Sequence, residues 1–176
     1  EKFFNAIQTL MNVATDDGTS TFGEGFKDME HFIKRHNSLG GARDCDHMHH
    51  GMGFLFQHMG LTLEFEQALQ AVDPTLTVPY WDYTVEGKDI YNAGRGKPGS
   101  GDFDKLWSSI MFDPDWFGTA DEETHTVTEG RWANKLEVGA DGWEDTVHNS
   151  YGMIRAPWNN NNFPYVQRFT SFAGIP

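Results

Sequence analysis

From Phe54 to Val72 the apolar residues Phe54, Leu61, Phe65, Ala68 or Leu69, and Val72 recur at steps of three and four, with His58 in the same line. That is the period of a helix that buries one face. Asp73-Pro74 must end it, since proline lacks the backbone donor and restricts the residue before it. A helix over about 52–72 therefore carries a histidine in the middle of its apolar stripe, with the imidazole expected to point into the protein. The chain around this helix has to supply partners for that ring.

A second histidine lies on a similar stripe. Phe26, Met29, Ile33 and His36 fall at steps of three, four and three, predicting a helix over about 24–37 that stops at Asn37-Ser38-Leu39-Gly40-Gly41. His31 lies about 140° from His36 around such a helix, which makes it solvated or peripheral. Residues 1–13 predict a first helix with Phe3, Phe4, Ile7, Leu10 and Met11 on one side, broken by Asp16-Asp17-Gly18. Residues 86–102 read as a Gly-rich surface loop or flap. A short helix and an aromatic loop are expected over 103–118, and a short extended pair around Glu129-Gly130 within 125–138. The tail from Trp143 reads as irregular, with Pro157-Trp158 and the turn Asn159 to Asn162. The fold class expected is mainly α, an irregular helix bundle with long loops, in one domain over the 176 residues.

Charge narrows the partners. Asp and Glu outnumber Lys and Arg by 26 to 13, a net charge of −13, so neither nucleic acid nor an anionic membrane is an expected partner. No stretch is apolar and long enough to cross a bilayer. The single cysteine, Cys45, excludes a disulfide within the chain.

Taken together, His36, His49 or His50, and His58 point to a metal. Neutral imidazole serves copper, zinc and iron alike. Each ring alone reads as a core histidine bonded to a carbonyl, but burying several without a ligand multiplies the desolvation cost. A carboxylate-bridged di-iron bundle needs two Glu-x-x-His pairs. Only Glu122-x-x-His125 is present, in an expected loop.

The segment FLFQH, followed by FEQALQAVDP and PYWDYT, resembles the first copper-binding half of the tyrosinase family, which includes tyrosinases, catechol oxidases and hemocyanins. The nine-residue step from His49 to His58 matches that family's spacing, and His36-Asn37 resembles its earlier His-Asn. DPDWFG, VTEGRWA and YGMIRAPWN are similar to its connecting region, so the likeness runs from about residue 22 to the end.

The resemblance implies that His36, His49 and His58 hold one copper of a coupled pair, with His50 as the alternative to His49. It also implies a phenol or catechol as substrate, O2 as co-substrate, a monooxygenase or oxidase reaction, and a secreted or secretory-pathway location. Phe54 is expected as a core wall near the metal, and Asp82 as a carboxylate that orients a ligand or caps a turn. Some members link a cysteine to the second copper histidine; Cys45 stands four residues before His49 and is expected as a free, partly buried thiol. Gln57 and Met59 replace the residues that usually flank the helix histidine, so the ligand surroundings are expected to differ.

The family's second copper site needs three more histidines. After His58 only His125 and His148 occur, and position 152, where a ligand would follow His148, is Gly. The expectation is a front half whose second-copper half lies in further chain or in another subunit, leaving apolar helix faces uncovered. The rival reading is a tyrosinase-like domain serving as a structural or interaction module of a larger extracellular assembly.

Overall fold

The computed structural model describes residues 1–40, 45–94, 101–102 and 104–134. These fall into two compact units, residues 1–79 and 80–134. Four helices make the first: α1 (Lys2–Asn12), α2 (Thr15–Phe22), α3 (Met29–Gly40) and α4 (Gly53–Val72). The second holds α5 (Thr84–Ala93), the short α6 (Asp104–Trp107) and a 3-10 turn at Ile110–Phe112. Among the described residues the extended pairing is one antiparallel bridge, Ala120 to Val127. The mainly helical fold class holds.

The core of the first unit forms where α1, α3 and α4 meet. Leu10, Phe26, Ala68 and Leu69 are fully buried, joined by Ala6, Phe32 and Leu76. The Phe32 and Phe65 rings meet edge to face at 5.4 Å, pinning α3 to α4. Burying side chains of this size contributes about 1.5–3 kcal/mol each.

Several expectations shift. Asp16-Asp17-Gly18 does not break the chain; it lies inside α2, and the break comes at Val13-Ala14. Two carboxylates in a first turn face the positive end of the helix dipole, so the acidic pair favours a helix start. Gly18 serves packing, since a Cβ there would lie 2.0 Å from the Phe26 ring. Asp28 joins α2 to α3. Its Oδ2 accepts from the Thr15 amide and hydroxyl, both at 2.7 Å, and its Oδ1 accepts from the His31 amide at 2.7 Å. Helix α3 accordingly starts at Met29 rather than near 24, and it runs on through Gly40. Phe26 is buried ahead of the helix, and Phe32 rather than Ile33 takes the buried place on α3.

Helix α4 ends as expected. Asp73 is extended, and its Oδ1 caps Thr75 through the amide at 2.9 Å and the hydroxyl at 2.6 Å. The chain returns along the helix, where Glu66 accepts from the Val78 amide at 2.8 Å. Only the second half of α4 is buried. Phe54, Leu55, Phe56, Met59 and Leu63 are exposed, so the apolar stripe covers the core from Leu61 onward and not from Phe54.

In the second unit, residues 84–93 form α5, which takes 86–93 out of the expected loop. Asp82 accepts from the Thr84 amide at 3.2 Å and from its hydroxyl, which starts the helix; one isolated glycine, Gly87, does not stop it. The turn in the following segment falls at 121–125, not at Glu129-Gly130. There Asp121 accepts from the amides of Glu123 and Thr124, and His125 takes a positive φ of 58°. Glu129 and Gly130 lie beyond the bridge, where Gly130 has φ 94° and its Cα faces the Pro114 carbonyl. No helix among the described residues is long and apolar enough to cross a membrane. The expectations for 135–138, His148 and the tail from Trp143 lie outside the described residues.

Candidate metal centre

Three segments bring one imidazole each to a common point. His36 sits in the penultimate turn of α3, His49 in the turn before α4, and His58 on the second turn of α4. One nitrogen of each lies within 4.8 Å of the other two, the one such His/Cys/Asp/Glu group among the described residues. The rings pack at centroid distances of 4.9 Å (His36–His49), 5.4 Å (His49–His58) and 5.6 Å (His36–His58). All three are half-buried, so the fully interior position expected for His58 is not what forms; its ring sits at the edge of the core.

The hydrogen bonds around the rings fix which nitrogens face each other. His58 Nδ1 donates to the Phe54 carbonyl at 2.7 Å, one helical turn back. His49 Nδ1 donates to Asp46 Oδ2 at 2.7 Å. In a neutral imidazole the other nitrogen then carries a lone pair. His49 Nε2 faces His36 Nε2 at 3.1 Å.

Asp46 is 6% exposed. Its Oδ1 also accepts from the Met48 and His49 amides, at 2.9 Å each. Burial alone would push its carboxyl up. Hydrogen bonds from the His49 ring and from the two amides, with attraction to that ring, outweigh burial and hold it below the usual carboxylate range. The sequence reading missed Asp46; its spacing, Asp-x-x-His, is the one signal that could have found it.

A clamp one turn away sets α3 against α4. Glu64 accepts from His31 Nε2 at 3.2 Å and from the Arg35 guanidinium. His31 is thus peripheral to the cluster, as expected, and has a defined partner.

The remaining candidates are placed as follows. His50 is exposed and outside the cluster. Phe54 stands beside His58 at 4.5 Å between ring centroids, but at 44% exposed it is a surface wall and not a core one. Asp82 holds the Thr84 turn. Cys45 is exposed and not partly buried; its Sγ lies 3.3 Å from His47 Nδ1. His125 occupies the turn after Asp121, and nothing there gathers a second Glu-x-x-His pair.

The donor set fits a copper-type ion. Two nitrogens bound to one ion at about 2.0–2.1 Å lie no more than about 4.2 Å apart. A spread within 4.8 Å closes with side-chain shifts of roughly half an ångström, a distance taken from the same bond lengths.

Comparison with known proteins agrees with this arrangement. The model for the common central domain of tyrosinase matches residues 23–170. A tyrosinase of Streptomyces antibioticus is 38% identical over 163 residues, covering 82% of this chain and 56% of that protein. Grixazone synthase of Streptomyces griseus subsp. griseus is 45% identical over 58 residues, 29% of this chain and 19% of that protein. A tyrosinase of Streptomyces glaucescens is 37% identical over 60 residues, 32% of this chain and 22% of that protein. The chain thus spans little more than half the length of the first of these relatives and about a fifth of the other two. No solved structure matches significantly. With the match running through all three clustered histidines, the chain belongs to the tyrosinase family, through that family's common central domain.

Proposed function

We propose that this chain is part of a tyrosinase-type copper oxidoreductase that oxidises phenols or catechols with O2, and that His36, His49 and His58 hold its first copper. The observation that carries the reading is the convergence of three imidazoles from three segments, two of them with Nδ1 bound to an acceptor so that Nε2 keeps the lone pair. Copper, when bound, supplies the electron transfer that O2 chemistry requires, and the family pairs two such ions. The chain's own part is to hold the donors and shape the approach. His58 is oriented by a carbonyl of its own helix, His49 by a buried carboxylate, and the Glu64 clamp fixes α3, and with it His36, against α4.

Beside the rings, Phe54, Leu55, Met59 and Leu63 line an open groove with His58 and Glu66. An apolar wall with one polar edge suits a flat aromatic ring. Half the length of a relative does not carry its whole activity, so the second copper and its ligands belong to this proposal too.

Copper titration of the purified chain tests the site, and O2 uptake with a catechol and with a monophenol, by protein that also holds the second copper, tests the reaction. We expect a tightly held copper that His58→Ala loses, with O2 uptake dependent on it. Absence of copper binding would overturn the site. Both coppers held with no O2 uptake would overturn the oxidase reading and leave a metal-binding module.

A further inference from the structure

We propose that Asp46 is the positioning residue of this centre: its buried carboxylate fixes the ring orientation and the tautomer of His49, making Nε2 the atom offered to the metal. The inference rests on the copper reading for the identity of the metal, but the tautomer itself stands on the geometry alone.

Asp46 uses both oxygens in different ways. Oδ1 accepts from the amides of Met48 and His49 at 2.9 Å each, which folds the turn and places the His49 backbone. Oδ2 accepts from His49 Nδ1 at 2.7 Å, which sets the ring. An ionised carboxylate can only accept, so Nδ1 must carry the hydrogen and Nε2 the lone pair. The same residue therefore determines where the ligand is and which of its nitrogens is available. A negatively charged acceptor also makes the opposite nitrogen more basic than a neutral carbonyl would.

The comparison with His58 shows why Asp46 in particular is the adjustable element. His58 reaches the same tautomer through the Phe54 carbonyl, a backbone group no substitution removes. For His49 the acceptor is a side chain, 5% exposed, in a turn outside the helices that the His47 amide ties to the Leu39 carbonyl of α3 at 3.0 Å. Asparagine there has one oxygen where aspartate has two. If that oxygen stays on the two amides, the NH2 group faces Nδ1, and the ring is driven to the tautomer with hydrogen on Nε2. If the amide turns over, two backbone amides face the NH2 group and the turn opens. Either way the Nε2 lone pair is lost or misplaced.

The test uses the full chain labelled with 15N in its histidines, stripped of metal and held at about pH 8, where an ordinary imidazole is neutral. Long-range proton–nitrogen spectra report the tautomer, with His49 assigned from its disappearance in His49→Gln. We expect hydrogen on Nδ1 in the wild type and on Nε2 in Asp46→Asn. Chelator competition should then show copper(II) affinity reduced roughly 10–100-fold in Asp46→Asn, the usual effect of removing such a partner. Hydrogen on Nε2 of His49 in the wild type would overturn the proposal, and this reading does not depend on whether the variant folds. A folded Asp46→Asn with an unchanged tautomer, or with an altered tautomer and unchanged copper affinity, would overturn it as well. A wild type with the expected tautomer that binds no copper would uphold the positioning by Asp46 and overturn the copper reading alone.

Discussion

His36 and His49 face each other Nε2 to Nε2 at 3.1 Å, although one lies within a helix and the other in a turn thirteen residues later. Since Asp46 takes the Nδ1 hydrogen of His49, the metal-free pair can bond only if His36 donates from Nε2. A metal bound at the same point requires that hydrogen to leave. The two rings thus hold each other in place until an ion takes over the bond.

His36→Ala removes one donor of three and leaves the core of the first unit untouched, as His36 is only half-buried. Copper affinity should fall by more than the roughly 100-fold that loss of an outer partner can cost. Thermal unfolding of the metal-free chain should change little. Competition against a chelator and a melting curve, run side by side, check both halves of this expectation.

Glu64→Ala removes the acceptor shared by His31 and Arg35. Both pairs are partly solvated, so the expected loss is about 1 kcal/mol in total. Copper affinity should weaken as well, because α3 carries His36 and this clamp sets its place against α4. Urea unfolding gives the first quantity; a loss well above that of an exposed pair would show the clamp to be more buried in energy than in area.

Gly18→Ala places a methyl group 2.0 Å from the ring of Phe26, which is fully buried and cannot swing aside. Overpacking of this kind costs about 1–3 kcal/mol. Ala is otherwise the better helix former, so a stabilised variant, read from its urea midpoint, would refute the packing account of this glycine.

Stability should fall in acid partly through Asp28. Burial pushes its carboxyl up, but bonds from Thr15 and the His31 amide, with attraction to the His31 ring, more than offset this and leave it below its ordinary value of 3.8. A depressed carboxylate contributes stability that is fully present above the unfolded value. That contribution is lost as pH falls through the folded one. The wild type should therefore lose stability below about pH 4 more steeply than Asp28→Asn, which is weaker at neutral pH and flatter in acid. Urea midpoints across that range give the two slopes, and parallel slopes would remove Asp28 from the account.

The triad was legible because two of its members lie on stripes of helical period and the third stands at a recognisable step from one of them. What periodicity could not convey was depth. The pattern from Phe54 to Val72 is continuous in sequence, yet only its second half is buried in the core with α1 and α3, since nothing in a stripe says how far a neighbour covers it. Asp46 was invisible for a related reason: a lone aspartate in a polar turn has no period, and its value lies in two amides and a ring that the turn itself creates. The helix at 84–93 was hidden by Gly87 and the glycines that follow it, while the hydroxyl–carboxylate pair of Thr84 and Asp82 that starts it is a short-range signal.

The uneven burial of α4 has a consequence for how the protein moves. Backbone amides near Ala68 and Leu69 can exchange with solvent deuterium only when the whole first unit opens. Those from Phe54 to Gly60, whose side chains leave the core, need only a local fraying of the first two turns. His58 lies on the frayed side and Phe65 on the anchored one. Filling the centre would tie the loose end of this helix to α3, so the exchange gradient along one continuous rod would flatten, and the degree of flattening would measure how much order the ion itself supplies.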